Sequence, residues 1–377
     1  MPTSNLTGGE IARGLGCPSR VRWPLKRSSE LFELRYGKAL VESNRRPGRV
    51  PVFGTNGQTG THDEPLFTGP GVVVGRKGAG HLGVHWSNQD YWVIDTAYSL
   101  VPSAEIDLKF AYYLVKFVGL NHLKHGTSNP SLTRDAFGAQ YFPVPPIEEQ
   151  RGIAATFSAI DEKIRSNDRL VDLGPRLARA MVDSALDGGQ DVPVSHLASF
   201  INGGAYTKGA TGTGRMVLRI AELNSGPGKS TVYNDIEVPE SKTARPGDIL
   251  MSWSGSLGVY RWFRSEAIIN QHIFKVLPTG YPPWLVFDRL SAVMPAFQGV
   301  AKDKATTMGH IQRGHLESTK IAVPPLNSIR SLDAAMGPLW DRLLLAEREN
   351  AALTAVRDAL LPELLSGRIR VPAEVIA

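Results

Sequence analysis

One cysteine, Cys17, in 377 residues excludes an internal disulfide framework and any multi-cysteine metal site, and it suits a reducing compartment. No stretch approaches the roughly 18 consecutive apolar residues of a membrane span. The opening MPTSNLTGGEIARGLG lacks the apolar run of a signal peptide. The expectation is a cytoplasmic protein with no membrane partner. His-Glu-x-x-His and Gly-x-Ser-x-Gly are missing, and the nine histidines show no ligand spacing on one helix face. The chain is therefore expected to catalyse nothing on its own and to hold neither cofactor nor metal.

What is there begins with charge. The net charge of +6 is unevenly spread. Residues 1–146 carry 16 Lys and Arg against 11 Asp and Glu, and residues 189–325 carry 14 against 10. Residues 147–188 (6 against 8) and 326–377 (6 against 7) are slightly acidic. A basic surplus confined to two separate stretches points to a polyanion met twice.

Several motifs imitate enzyme sites. Val72-Val73-Val74 runs into Gly78-Ala79-Gly80-His81-Leu82-Gly83, the spelling of a dinucleotide turn, but residues 84–89 lack the helical periodicity such a turn must lead into. A tight basic loop approaching a DNA backbone or base edge is the better reading. Gly226-Pro227-Gly228-Lys229-Ser230 lacks the earlier glycine of a phosphate loop, since that position is Leu223. Glu240-Ser241-Lys242 spells the Glu-x-Lys of some nucleases, with Asp235 too close before it.

The chain also repeats itself. At a shift of 179 residues, Val144-Pro145-Pro146-Ile147 lies over Val323-Pro324-Pro325-Leu326, Ile160 and Ile164 over Leu339 and Leu343, and Leu186 and Gly188 over Leu365 and Gly367. With small insertions, Pro70–Val74 resembles Pro246–Leu250, Val93-Ile94-Asp95 resembles Ile268-Ile269-Asn270, and Tyr36–Ala39 resembles Asn202–Ala205. The order is module, helix, module, helix, a fused pseudo-dimer.

Each repeated Pro-Pro precedes a helix, because proline disfavours helix at the residue before it and suits the first turn. Ile153, Phe157, Ile160, Ile164 and Val171 follow the spacing of a coiled-coil seam with Asn167 in it. Leu332, Met336, Leu339, Leu343, Ala346 and Leu353 do the same around Asn350. So narrow a stripe needs a partner, and each helix is the nearest candidate for the other. About 36 residues make a rod of roughly 55 Å, with kinks expected at Gly174-Pro175 and near Pro362. In the modules, β-branched runs (72–74, 91–94, 216–220, 268–276) alternate with glycine turns, and one helical patch in each (107–118, 284–293) precedes the final turn. They read as α+β.

The candidate DNA-contacting set follows the loops. In the first module it is Lys38, the basic loop Arg45, Arg46 and Arg49, then Arg76, Lys77 and His81, and Lys124, His125, Ser128 and Asn129. In the second it is Tyr206, Lys208, Ser254, Ser256, Lys302, Lys304, Thr307, His310 and Arg313. Arg and Lys suit phosphates or guanine edges, and Asn suits adenine.

These residues resemble the specificity (S) subunits of type I restriction–modification systems. The resemblance is carried by Val-Pro-Pro-Ile-Glu-Glu-Gln-Arg (144–151) and its partner Val-Pro-Pro-Leu-Asn-Ser-Ile-Arg (323–330). Phe157–Ile164 and the ending Leu360-Leu361-Pro362-Glu363-Leu364-Leu365-Ser366-Gly367-Arg368 add to it. The second copy departs from Glu-Glu-Gln with Asn327-Ser328-Ile329, which puts one partner contact in doubt. The resemblance implies a target recognition domain at 1–146, a spacer helix at 147–188, a second such domain at 189–325, and a second helix with tail at 326–377, the helices packed as an antiparallel coiled coil. It implies a split, asymmetric target on double-stranded DNA, and partners: methyltransferase subunits and restriction/translocase subunits, which would carry S-adenosylmethionine, ATP and Mg. The alternatives are a self-sufficient nuclease or nucleotide-binding enzyme using Gly78–Gly83 or Glu240–Lys242, and a DNA-binding regulator or scaffold.

Overall fold

The computed structural model describes residues 12–15, 23–303 and 309–371, without the side chains of 302 and 303. The chain forms two compact units, residues 1–162 with 354–377 and residues 163–353.

The first unit opens with β1 (Leu25–Arg27), the short α1 (Ser28–Leu31) and β2 (Phe32–Tyr36). Then come β3 (Val50–Gly54), β4 (Gly57–His62), β5 (Gly71–Gly75), β6 (Val84–Ser87), β7 (Trp92–Val93) and β8 (Ala97–Pro102). It continues with α2 (Leu108–Val118), the β9 (Lys124–His125) and β10 (Ser131–Leu132) pair, α3 (Arg134–Gly138), β11 (Tyr141–Pro143) and the long α4 (Ile147–Ser184). One sheet has the order β2-β8-β5-β6, a second β4-β3-β7, and β1 pairs with β11. The all-valine run on β5 is explained by burial on both faces. Val72 and Val74 pack into the main core with Phe110 and Leu114 of α2, while Val73 points the other way onto Phe53, Tyr91 and Val93. Asp107 starts α2 by accepting from the Phe110 backbone N–H at 2.8 Å. Ile153 and Phe157 of α4 reach the same core, as do Leu364 and Leu365. Burying a side chain such as Phe157 is worth roughly 2–3 kcal/mol.

In the second unit the elements are β12 (Gln190–Pro193), β13 (Ala198–Asn202), β14 (Arg215–Leu218), α5 (Ile220–Ser225), β15 (Tyr233–Asn234), β16 (Thr243–Ala244), β17 (Ile249–Ser252) and β18 (Gly258–Arg261). They continue as β19 (Ala267–Ile269), β20 (Ile273–Pro278), α6 (Pro283–Asp303), α7 (Arg313–Ser318), β21 (Lys320–Val323) and α8 (Leu326–Leu365). The main sheet, β13-β20-β17-β18, connects its strands in the same pattern as β2-β8-β5-β6. The second sheet, β15-β14-β19-β16, contains a parallel pair, β14 with β19, as β3 pairs in parallel with β7. Ile249 and Met251 face one core and Leu250 another, repeating the division seen on β5.

Three expectations need correction. The run 268–276 is two strands, because His272 sits at φ +79°, a conformation that ends a strand. Ile220 begins a helix and not the end of a strand. The patch at 284–293 is part of a longer helix, Pro283–Asp303, which continues past Pro295.

Both long helices start directly after their Pro-Pro pairs. Within the second unit α4 and α8 pack in opposite chain directions. Val182 shares a cluster with Ile329 and Met336, Gly174 meets Leu343, and Asn167 bonds to Asn350. A Cβ at Gly174 would stand 2.7 Å from Leu343 Cδ2, so a larger residue there would displace the Leu343 side chain of α8. Within the first unit, Asp161 of α4 accepts from Arg357 at 3.1 Å. α4 passes Pro175 without ending, and α8 passes Pro362.

Candidate nucleic-acid interface

In the first unit the ends of the strands bring loops 36–38, 54–57, 75–83, 94–96 and 124–134 to one edge. Backbone and threonine hydrogen bonds tie them together. Arg76 N–H donates to the Thr96 carbonyl (2.9 Å), Leu132 N–H to Arg76 (2.8 Å) and Gly78 N–H to Pro130 (3.1 Å). The Thr55 hydroxyl spans the Lys77 (2.8 Å) and Thr96 (2.7 Å) carbonyls. The glycines serve this geometry. Gly78 takes φ +133°, and a Cβ at Gly83 would stand 2.1 Å from His85 Nε2. After Gly83 the chain enters strand β6 and not a helix, so no helix N-terminus faces the loop.

The side chains of this edge divide into held and free. The Lys124 ammonium donates to the carbonyls of Gly78 (3.3 Å), Ala79 (3.1 Å) and Gly80 (2.8 Å), so it shapes the glycine loop and has its donors occupied there. Lys77 pairs with Asp95 at 3.3 Å, and Arg76 donates to the Asp95 carbonyl at 3.1 Å. His81 contacts Asn121. His125, Ser128 and Asn129 are exposed on the β9–β10 turn, and Lys38 is exposed beside β7. Burial pushes the His85 imidazole below the ordinary histidine range and the Tyr98 phenol up to about 12, so both stay neutral beside these cations.

Arg45, Arg46 and Arg49 lie elsewhere, along β4 and toward its far end. Arg45 donates to the Thr59 carbonyl (2.8 Å), and Gln89 donates to the Arg49 carbonyl (2.9 Å). Arg46 is neutralised by Asp63 (2.7 Å) and Glu64 (2.8 Å). This basic loop is thus held in place by the side chains of Arg45 and Arg46.

The second unit builds the same edge from other residues. Trp253 stands where Arg76 does: its N–H donates to the His272 carbonyl (3.0 Å), and its carbonyl accepts from Ile311 (2.8 Å). Ser256 is exposed but Ser254, bridged to His310, is buried, which removes it from direct contact with a large ligand. Tyr206 is held by Asn270 (3.3 Å) and Asn234 (3.0 Å), Lys208 is exposed, and Arg313 is exposed with one N–H toward the Phe200 carbonyl (3.5 Å). The Lys302 side chain, Lys304 and Thr307 lie outside the described residues. Neither enzyme-like motif keeps its promise. Gly228 N–H is bound by Thr231 (2.7 Å), and Glu240 is ion-paired to Arg245 (2.6 Å). Among the described residues no group of His, Cys, Asp and Glu is placed to hold a metal.

Residues 20–171 match the family model for the type I restriction modification DNA specificity domain. Similar curated proteins are the type I restriction enzyme EcoBI specificity subunit of Escherichia coli and the MjaIX specificity subunit of Methanocaldococcus jannaschii. The first is 21% identical over 187 residues, 47% of this chain and 39% of that protein. The second is 29% identical over 68 residues, 18% of this chain and 16% of that protein. The matches thus span well under half the length of these relatives. The crystal structure of the type I restriction–modification S subunit from M. genitalium superposes with a TM-score of 0.71 at 17% identity, covering 94% of this chain and 99% of that one, which establishes the shared fold. Over residues 20–171 the chain is thus similar to the type I restriction modification DNA specificity domain, and it shares the fold of an S subunit.

Sequence reasoning missed two residues of the first unit's loop edge. Tyr36 is 50% exposed, and the guanidinium carbons of Arg134 and Arg76 lie 4.1 and 4.8 Å from its ring centre. In the sequence Tyr36 stands out only as part of the repeat, and Arg134 does not stand out. An exposed aromatic residue ending a strand was the available signal. No helix among the described residues is long and apolar enough to cross a membrane.

Proposed function

We propose that this chain reads a bipartite, asymmetric DNA target and brings methyltransferase and restriction subunits to it, without chemistry of its own. Each unit reads one half-target through its loop edge. The two long helices, acting as an antiparallel coiled coil in a duplicated, pseudo-twofold molecule, set how many base pairs go unread between the halves. S-adenosylmethionine, ATP and Mg belong to the partner subunits in this reading. One observation carries it: the same loop edge occurs twice on matching sheets, with Arg76 and Tyr36 in one unit and Trp253 and Asn202 in the other. Equal scaffolds with unequal side chains suit two unequal sequences.

The test is module exchange. Residues 1–146 are replaced by the corresponding module of a relative with a different target, and methylated sites are mapped by sequencing in cells that also express the methyltransferase subunit. One half-target is expected to change while the other half and the spacer stay. A change in both halves, or methylation indifferent to the exchange, overturns the proposal.

A further inference from the structure

Arg134 is the first residue of α3, and the Thr133 hydroxyl holds the start of that helix by accepting from Ala136 N–H at 3.1 Å. Its guanidinium carbon lies 4.1 Å from the centre of the Tyr36 ring, within cation–π range. Tyr36 is in turn seated on Tyr98, ring centres 5.1 Å apart. Tyr98 is buried and donates to the Leu132 carbonyl at 3.1 Å. A rigid column therefore runs from the core to the exposed arginine. Arg134 forms no ion pair or hydrogen bond to any described residue. Glu33, which feels its charge, is committed to Arg35 at 3.0 Å. Arg76, by contrast, spends a donor on the Asp95 carbonyl.

Resting on the DNA-reading function proposed above, we infer that Arg134 reads a guanine in the half-target of the first unit, with Tyr36 as its positioning residue. A guanidinium held on an aromatic ring keeps its flat fork of N–H donors ordered at little entropic cost, and that fork matches the O6 and N7 acceptors of guanine in the major groove. Arg76 beside it, which donates to a neutral carbonyl and keeps its charge, supplies attraction that brings the duplex in. The second unit cannot form this reader. Asn202 occupies the place of Tyr36, opposite Phe274 as Tyr36 is opposite Tyr98, and Arg313 leans toward its own Phe200 carbonyl.

The full chain, purified with the methyltransferase subunit, selects bound duplexes from a randomised library. It is compared with Arg134→Lys, Arg134→Met and Tyr36→Leu. Both Arg134 variants are expected to lose about 10- to 100-fold of the preference for guanine at one position of one half-target, leaving every other position unchanged. Tyr36→Leu should weaken the same position less. Lysine keeps the charge, so a phosphate contact would survive Arg134→Lys, with every base preference intact. That result, or loss spread evenly over all positions, overturns the inference but not the DNA-reading function. A wild-type chain that selects no sequence overturns both.

Discussion

Gln150 is wholly buried, and its side chain is fully used. Its amide donates to the carbonyls of Glu105 and Pro145, both at 2.9 Å, and its carbonyl accepts from Asp107 N–H at 2.9 Å. It thereby ties the Pro-Pro turn, the start of α4 and the cap of α2 into one joint. Glu149 beside it pairs with Arg370 at 2.7 Å. This explains the Glu-Glu-Gln spelling in mechanical terms. It also explains why the second copy departs from it. Ile329, which occupies the place of Gln150, is buried against Val182, Trp284 and Met336, so there the joint is apolar. At this one position the departure serves an internal core. Gln150→Leu leaves one buried donor and two buried acceptors unpaired. It should lower stability by about 2–4 kcal/mol in denaturant unfolding, far more than a change at exposed Arg151.

At the scale of elements, the asparagines read from the seam spacing meet. Asn167, almost fully buried, donates to Asn350 Oδ1 (3.0 Å) and Glu349 (2.8 Å), and Asn350 donates to Asp168 (2.7 Å). Seam spacing alone could place both residues inward. That they share one layer depends on the register between helices 183 residues apart, which only folding sets. Polar groups so placed give up some stability in exchange for a single register. A double-mutant cycle with Asn167→Leu and Asn350→Leu should show each single change destabilising, because it strands the other amide. The double change should be milder than their sum, with a coupling energy of about 1–2 kcal/mol. Additivity within error would mean the pair does not act as a unit.

For the molecule as a whole, two basic stretches on matching scaffolds predict binding dominated by phosphate neutralisation. If about six phosphates are neutralised, affinity for duplex DNA should fall on the order of 10³-fold between about 50 and 200 mM salt, log-linearly. A flat salt response in a titration followed by anisotropy would contradict a phosphate-led interface. Composition, the 179-residue repeat, the Pro-Pro helix starts and the seam positions were legible from sequence, because periodicity and proline act over a few neighbouring residues. The glycine loop was legible as a loop but not as a structure. Lys124, 46 residues from Gly78, reads as a free cation until the fold closes the loop carbonyls over it. Arg46 is likewise paired with acids just past the end of β4, and Tyr36 and Arg134, 98 positions apart in the chain, become neighbours only when β2 and α3 are packed. Local pattern determined which elements form and that they form twice. Which charges remain available to a ligand was decided by tertiary structure alone, because a charge is free or spent according to what long-range folding places within about 4 Å of it.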